Sequence, residues 1–223
     1  TLVHDTVTIA KAAALQWAET PPLTRSRILN QAHHCLSLKK EDLARCITEE
    51  HGKTAQDAAG EIARGLEVIE FATGIPHLLK GEHTKNVGRQ IDSWSERHPL
   101  GVCAGITPFN FPFMVPMWMA PMALACGNAF ILKPSEKTPS AALFAARCFQ
   151  EAGLPDGLFN VLQGTKDTVE ALMHHPDISA ISFVGSTPIA QSVYAEGTKA
   201  GKRVQALGGA KNHLMVMPDA DIE

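Results

Sequence analysis

The sequence lacks the features that mark several large classes of protein. Its five cysteines form no C-x-x-C pair and no His/Cys ligand spacing, so neither a disulfide framework nor a zinc site is indicated. Adjacent histidines occur at His33-His34 and His174-His175, but neighbouring positions on a helix point to different faces, which disfavours a metal site. The sequence therefore predicts no metal and favours a reducing compartment. We expect the cytoplasm, with the mitochondrial matrix as the alternative.

A strong charge and a long apolar run are also missing. The net charge is −3, the sequence pI is near 6.3, and Lys and Arg are scattered, so no nucleic-acid partner is expected. The apolar run from Phe109 to Ala125 is too short and too rich in proline to span a bilayer, so no membrane partner is expected. Because 45% of the residues are hydrophobic, the chain can bury a substantial core. These properties favour a soluble protein that acts on small molecules.

Candidate strands and helices alternate from Pro99 onward, which is typical of a parallel sheet with crossover helices. No G-x-G-x-x-G follows any of the candidate strands, so the usual dinucleotide fingerprint is absent. The strands are predicted at residues 101–106, 129–133, 158–162, 180–183 and 203–206, and the helices at 113–125, 140–151, 166–174 and 188–200. The predicted fold class is α/β, with a Rossmann-like parallel sheet.

Before that sheet, apolar residues at helical spacing predict helices over residues 1–80, with breaks at Pro21-Pro22 and His51-Gly52. A helix predicted at 55–72 contains Gly60 and Gly65, each of which costs up to about 1 kcal/mol relative to Ala. Either another element approaches the backbone closely at these glycines, or they are tolerated on the surface. Both explanations stay open at this point.

Residues 81–98 are polar, with glycines as punctuation, and predict a β-hairpin that stands apart from the core. Residues 99–207 then form the Rossmann-like core. A strand-like run, Leu214–Met217, follows, and the chain stops at Glu223 soon after it and starts at Thr1 without Met. We expect a piece of a longer protein.

One short segment, Gly105–Pro112, holds a carboxamide on a stiff loop. Pro108 and Pro112 restrict the residues before them, so Asn110 is held between two constrained positions. An amide N–H presented in this way can stabilise an oxyanion that forms on a carbonyl substrate. The alternative is an asparagine that only hydrogen-bonds its own turn.

Several segments repeat a known arrangement in order. They are 105–112, Ile131–Glu136, Phe183–Thr187 and Gln205–Asn212. Together they resemble the aldehyde dehydrogenase superfamily over nearly the whole chain, and within it the CoA-acylating methylmalonate-semialdehyde dehydrogenase branch. The resemblance implies an NAD-binding domain that works without the usual fingerprint and a hairpin that serves as an oligomerisation arm. It also implies a homo-oligomer, dimer or tetramer, and a catalytic domain that is largely absent, of which residues 208–223 are the start.

The resemblance assigns cofactor contacts to the loops after the predicted strands. The implied residues are Thr107, Phe109, Lys133, Ser135, Glu136, Gly164, Gly185, Ser186 and Leu207. A carboxylate at Glu136 would repel a 2′-phosphate, which favours NAD over NADP. Two residues stand where the family usually has glycine. Ala190 is a mild departure, whereas Lys166, in the turn that begins at Gly164, puts the pyrophosphate contacts of that turn in doubt.

Ala206 is the departure with the largest chemical consequence. Many hydrolytic members of the superfamily have a glutamate there, which acts as general base toward the water that hydrolyses the thioacyl enzyme. Alanine cannot accept a proton, so the thioester should persist until an external thiol attacks it. This logic points to coenzyme A as co-substrate. The resemblance to the acylating branch, and no residue of this chain, further implies loss of carbon dioxide to give propionyl-CoA or acetyl-CoA and a place in valine or inositol catabolism. Lost activity is the alternative.

Arg64, in the glycine-containing helix, is the candidate substrate anchor. Its guanidinium can hold a carboxylate, as a semialdehyde acid requires, although a surface salt bridge explains it equally well. None of the five cysteines matches the nucleophile motif of the family, so the nucleophile is expected outside this chain, and the piece should not turn over alone. The remaining hypotheses are a hydrolytic aldehyde dehydrogenase whose base lies elsewhere and a non-catalytic nucleotide-binding module.

Overall fold

The structure, a computed structural model, describes residues 2–221. It begins with a set of helices: α1 (Leu2–Ala18), α2 (Pro22–Leu38), α3 (Lys40–His51), α4 (Ala55–Thr73) and α5 (Ile75–Leu78). The predicted breaks at Pro21-Pro22 and His51-Gly52 are confirmed, and one further break at Lys39 separates α2 from α3. Thr54 caps α4, because its hydroxyl accepts the Asp57 N–H at 3.1 Å.

The predicted hairpin is present as strands β1 (His83–Gly88) and β2 (Ile91–Trp94), which pair antiparallel in a sheet of their own. Nearly every residue of the two strands is exposed. Gln90, in the tight connection, has positive φ. Asn86 also has positive φ, and it lies within β1 where the pairing register shifts. The exposed residues include large apolar side chains: Val87, Ile91 and Trp94.

The second sheet contains β3 (Val102–Ile106), β4 (Ala129–Lys133), β5 (Phe159–Val161), β6 (Ile178–Val184) and β7 (Arg203–Leu207), all parallel. Its spatial order is β5-β4-β3-β6-β7, so the chain builds outward from β3 on one side and then returns to the other side. The crossovers contain α6 (Met114–Ala125), α7 (Ser140–Glu151), α8 (Lys166–His174) and α9 (Thr187–Lys199). This is the predicted Rossmann-like arrangement, and the α/β fold class is confirmed.

Two predictions of local structure need correction. Strand β6 is longer than the predicted 180–183, because Ile178 and Val184 extend the parallel pairing with the neighbouring strands β3 and β7. The run Leu214–Met217 is not a strand: its side chains are exposed, and no strand among residues 2–221 pairs with it. An apolar run without a hydrogen-bonding neighbour leaves its backbone groups to the solvent.

Helix α6 is apolar on all sides and is almost entirely buried. At its carboxyl end, the Arg25 guanidinium donates to the Ala125 carbonyl at 3.0 Å, and the Trp17 indole N–H donates to the Leu124 carbonyl at 2.8 Å. Burial lowers the pKa of Arg25 from its ordinary value. A cation at this end complements the helix dipole. Among residues 2–221, no helix combines the length and the apolar character needed to cross a bilayer.

The two glycines of α4 differ. A Cβ on Gly65 would lie 2.5 Å from Cε1 of Phe113, whose ring is fully buried, so α4 and the start of α6 approach each other closely there. A Cβ on Gly60 would meet nothing within 4 Å. The close-approach explanation therefore holds for Gly65 and the tolerated-glycine explanation for Gly60.

This difference gives a matched pair of substitutions. Gly65→Ala should lower the free energy of unfolding by about 1–3 kcal/mol, because the new methyl group overpacks the contact with Phe113. Gly60→Ala should raise it by up to about 1 kcal/mol through helix propensity alone. Urea unfolding followed by circular dichroism measures both. Stabilisation by both substitutions would contradict the close approach.

Candidate functional site

The carboxyl edge of the parallel sheet gathers every residue for which a cofactor contact is predicted. Ile106 at the end of β3 lies opposite Lys133 of β4 and Phe183 of β6, and Val184 lies opposite Leu207 of β7. The predicted residues lie on or shortly after the carboxyl ends of the five strands, Gly164 after β5 and the others at these four: Thr107, Phe109, Lys133, Ser135, Glu136, Gly164, Gly185, Ser186 and Leu207. Open α/β sheets hold their ligands at this edge, where the strand order reverses. Here the reversal lies between β3 and β6.

A charged pair follows β4. The Lys133 ammonium lies 3.4 Å from Oε2 of Glu136; the lysine side chain is 6% exposed and the glutamate 55%. The pKa of the Glu136 carboxyl is below its ordinary value, first because its own backbone N–H donates to it and further because of the Lys133 charge. The carboxylate is therefore ionised at neutral pH and faces solvent. Ser135 stabilises the turn, since its hydroxyl accepts the Lys137 N–H at 3.2 Å.

The loop after β3 begins with an unusual hydroxyl. Oγ1 of Thr107 is buried and has no hydrogen-bond partner among the described residues. Beyond it, Phe109 is half-exposed; its ring centroid lies 6.1 Å from that of His51 and 5.0 Å from the Lys137 ammonium. The Thr138 hydroxyl donates to the Phe109 carbonyl at 3.2 Å, which ties this loop to the one after β4.

The turns after β6 and β7 are joined to each other. The Gly185 N–H donates to the Leu207 carbonyl at 3.1 Å, and Oγ1 of Thr187 accepts the Gly209 N–H at 2.9 Å. Ser186 is the N-cap of α9, and its exposed side chain makes no capping hydrogen bond. The first N–H groups of α9 can therefore bind a ligand where the strand order reverses, which we call the switch point. A helix N-terminus of this kind favours a phosphate.

Asn110 is exposed, and its loop is fixed by residues of the helical segment that sequence reasoning missed. Its backbone carbonyl accepts from Nζ of Lys53 at 2.7 Å, and the same ammonium lies 2.6 Å from Oε2 of Glu61 and 4.5 Å from the Phe111 ring centroid. A signal was available for Glu61, because it stands on the apolar stripe of α4. For Lys53, no local pattern indicated the contact.

The remaining predicted residues lie in distinct places. Arg64 is exposed on α4, about one turn after Glu61. Ala206 is half-buried in β7. Gly164 has a φ of +151° in the turn before α8, where Cβ would collide with Thr168.

The cysteines for which a pKa shift is resolved have raised pKa values. Burial raises the pKa of Cys103, in the central strand, to about 11, and that of Cys148, in α7, to about 12. It also raises the pKa values of Cys46 and Cys126. A nucleophilic cysteine needs the opposite shift, so these thiols are poorly suited to covalent catalysis.

A cleft of about 910 Å³ lies at the opposite edge of the sheet. Its lining includes Arg25, Gly101 and Ser179, which are near the amino ends of β3 and β6. That is the wrong edge for a nucleotide in a doubly wound sheet. The candidate site therefore stays at the carboxyl edge.

A sequence model described as the aldehyde dehydrogenase family matches residues 1–223. The chain belongs to the aldehyde dehydrogenase family. It is 56% identical to a malonate-semialdehyde dehydrogenase from Pseudomonas aeruginosa, over 99% of this chain but only 44% of that protein.

Solved structures of family members give the same result. A methylmalonate-semialdehyde dehydrogenase (DddC) from Oceanimonas doudoroffii superposes with a TM-score of 0.93 at 56% identity, over 98% of this chain and 45% of that one. A protein from Sinorhizobium meliloti 1021, provisionally described as a methylmalonate-semialdehyde dehydrogenase and complexed with NAD, superposes with a TM-score of 0.92 at 55% identity, over 97% and 44%. The chain thus spans less than half the length of these aldehyde dehydrogenases.

The unpartnered hydroxyl of Thr107 gives a stability test. Thr107→Val should raise the free energy of unfolding by about 1 kcal/mol without nucleotide, because it removes a buried hydroxyl that has no partner. Thr138→Val is the matched control: its hydroxyl is equally buried but hydrogen-bonded, so this change should lower the free energy by about 1 kcal/mol. Urea unfolding measures the free energy of unfolding of both variants. If both substitutions lower it equally, the Thr107 hydroxyl already has a hydrogen-bond partner.

Proposed function

We propose that this chain is the nucleotide-binding part of an NAD-dependent, CoA-acylating dehydrogenase that oxidises malonate or methylmalonate semialdehyde. One observation carries the proposal. The residues with predicted cofactor contacts, which we call the nucleotide cradle, lie at the same edge of the sheet as the stiff Asn110 loop, and the chain is similar to semialdehyde dehydrogenases. The proposed division is a helical part at 1–80, a hairpin at 81–98, a nucleotide-binding core at 99–207 and the start of a catalytic domain from 208. Residue 1 of the first part and residues 222–223 of the last part lie outside the described residues.

The cradle fits NAD. The Lys133 ammonium and the ionised Glu136 carboxylate would bind the adenosine ribose, and the negative charge of Glu136 would repel a 2′-phosphate. The free N–H groups of α9 beside Ser186 suit the pyrophosphate. Thr107, at the end of β3, is also proposed to line the nucleotide site, and its hydroxyl is buried beneath the surface there. When bound, NAD supplies the hydride acceptor for oxidation of the aldehyde carbon.

Asn110 is the proposed oxyanion donor. An exposed carboxamide at the switch point can donate an N–H to the oxygen that becomes negative when a thiolate attacks the aldehyde. The attacking thiolate would come from the remainder of the full-length protein, because the cysteines described above are held as thiols by burial.

Ala206 supports coenzyme A as the acyl acceptor. The side chain at this position on β7 is a methyl group, which cannot activate water. A thioacyl intermediate would then survive until the thiol of coenzyme A attacks it. The expected products after decarboxylation are acetyl-CoA or propionyl-CoA, as in valine or inositol catabolism.

We also propose a homo-oligomer, dimer or tetramer, that associates through the β1–β2 hairpin. The supporting observation is the exposure of Val87, Ile91 and Trp94 on two strands that pair only with each other. Exposed apolar side chains grouped in this way mark association surfaces. The bacterial sources of the relatives support a cytoplasmic location over the mitochondrial matrix.

The first test is NADH formation by the full-length protein with malonate semialdehyde, with and without coenzyme A. We expect turnover that requires coenzyme A and an acyl-CoA product, because Ala206 supplies no base for hydrolysis. Mass spectrometry identifies the product. Turnover to a free acid without coenzyme A would show that another base acts, and no turnover would favour a non-catalytic nucleotide-binding module.

Arg64 is the proposed anchor for the substrate carboxylate. Arg64→Leu should raise KM for malonate semialdehyde about 10- to 100-fold, because a charge-assisted hydrogen bond contributes about 1.5–3 kcal/mol. The KM for propanal, which has no carboxylate, should stay within about twofold. Arg147→Leu, which removes an exposed arginine from α7, is the control and should change neither KM. Equal effects on the two aldehydes would exclude Arg64 as the anchor.

A further inference from the structure

Glu61 is a buried carboxylate at the start of α6. Its side chain is 0% exposed. One oxygen, Oε1, accepts the backbone N–H groups of Phe113, at 2.8 Å, and Met114, at 3.1 Å, and the other lies 2.6 Å from Nζ of Lys53. A carboxylate at this end of a helix satisfies backbone donors that have no partner within the helix, and it complements the dipole.

Lys53 extends this cluster to the Asn110 loop. Its side chain is 10% exposed, and its ammonium donates to the Asn110 carbonyl at 2.7 Å and lies over the Phe111 ring at 4.5 Å from the centroid. The ammonium thus contacts the peptide group that joins Asn110 to Phe111 and the ring that follows. Together with the contact to Glu61, the ammonium makes three contacts at once, so it has little freedom to move.

We infer that Lys53 and Glu61 are positioning residues for Asn110. Glu61 fixes the loop where it enters α6, and Lys53 fixes the peptide group of Asn110, the proposed oxyanion donor. The ion pair between Lys53 and Glu61 links these two contacts. The inference rests on the proposed function, because it assigns the pair a task in aldehyde oxidation. An ion pair that served stability alone would need no donor on the Asn110 carbonyl.

The effect on the reaction follows from the geometry of the loop. Asn110 itself is exposed, so packing does not fix its carboxamide, and its backbone sets where the amide points. A displacement of about 1 Å at a catalytic centre can lower the rate about 100-fold. Loss of the hydrogen bond from Lys53 would free the Asn110 peptide while the nucleotide contacts at Lys133 and Ser186 remained in place.

The test uses the full-length protein with malonate semialdehyde and compares Lys53→Met, Asn110→Ala and the double substitution. Lys53→Met should lower kcat about 10- to 100-fold, while the dissociation constant for NAD stays within about twofold. Added to Asn110→Ala, it should lower kcat by no more than about twofold, because the residue that it positions is already gone. Lys53→Arg, which retains the charge and the donors, should restore most of the activity.

The control is Lys39→Met, which removes an ammonium 2.5 Å from Glu151 on the surface and should leave kcat unchanged. Lys53→Met leaves the charge of Glu61 buried and unpaired, so Lys53→Met/Glu61→Gln is made beside it to remove both charges. This second variant should fold and should still show the low kcat. Unfolding of both variants would mark the pair as a stability element and overturn the inference.

The other outcomes separate the inference from the proposed function. A wild-type kcat in a folded Lys53→Met protein overturns the inference alone, as does an undiminished further loss in the Asn110→Ala background. No oxidation of semialdehyde by the unsubstituted protein overturns the proposed function and the inference with it. A fall in kcat with NAD binding intact supports both.

Discussion

The burial of α6 with both of its ends is the constraint on which this structure depends. An apolar helix can lie inside the protein, but its terminal N–H and C=O groups cannot be left without partners there. The chain meets this need with charged side chains from the helical segment. Glu61 accepts the N–H groups at the start, and Arg25 donates to the carbonyl group at the end, each with the sign that the helix dipole favours.

This constraint also joins the two halves of the fold. Arg25 lies on α2 and Glu61 on α4, so capping α6 requires both helices to dock against the first crossover of the parallel sheet. Gly65 allows the backbone of α4 to approach Phe113 at this contact. The loop that carries Asn110 lies between β3 and α6, so the residues that cap α6 also fix the position of the proposed oxyanion donor.

Much of the fold was predictable because its signals are local. Strand β4 and helices α7 and α8 have the predicted bounds, since a β-branched or apolar run, a turn and a periodic helix each depend on neighbouring residues. The residues with predicted cofactor contacts could be expected to lie together for a related reason, because the carboxyl ends of parallel strands share one edge. The Lys53 contact was not, because 57 residues separate it from Asn110 and no periodicity relates them. A charge on an apolar helical stripe, as at Glu61, is the one sequence signal that indicates a buried partner.

The position of Ala206 in β7 suits its proposed role in selecting the acyl acceptor. Exposure alternates along this strand, and Ala206 stands with Val204 on the half-buried face, whereas Leu207 is exposed. A glutamate at that point would be partly desolvated, which raises a carboxyl pKa toward the range in which a general base works. The same surroundings with a methyl group offer water no proton acceptor, and nothing else in the strand has to change. Under the proposed function, an acylating enzyme and a hydrolytic one could therefore share this sheet, this helix N-terminus and this asparagine loop, and differ in how long the thioester lasts.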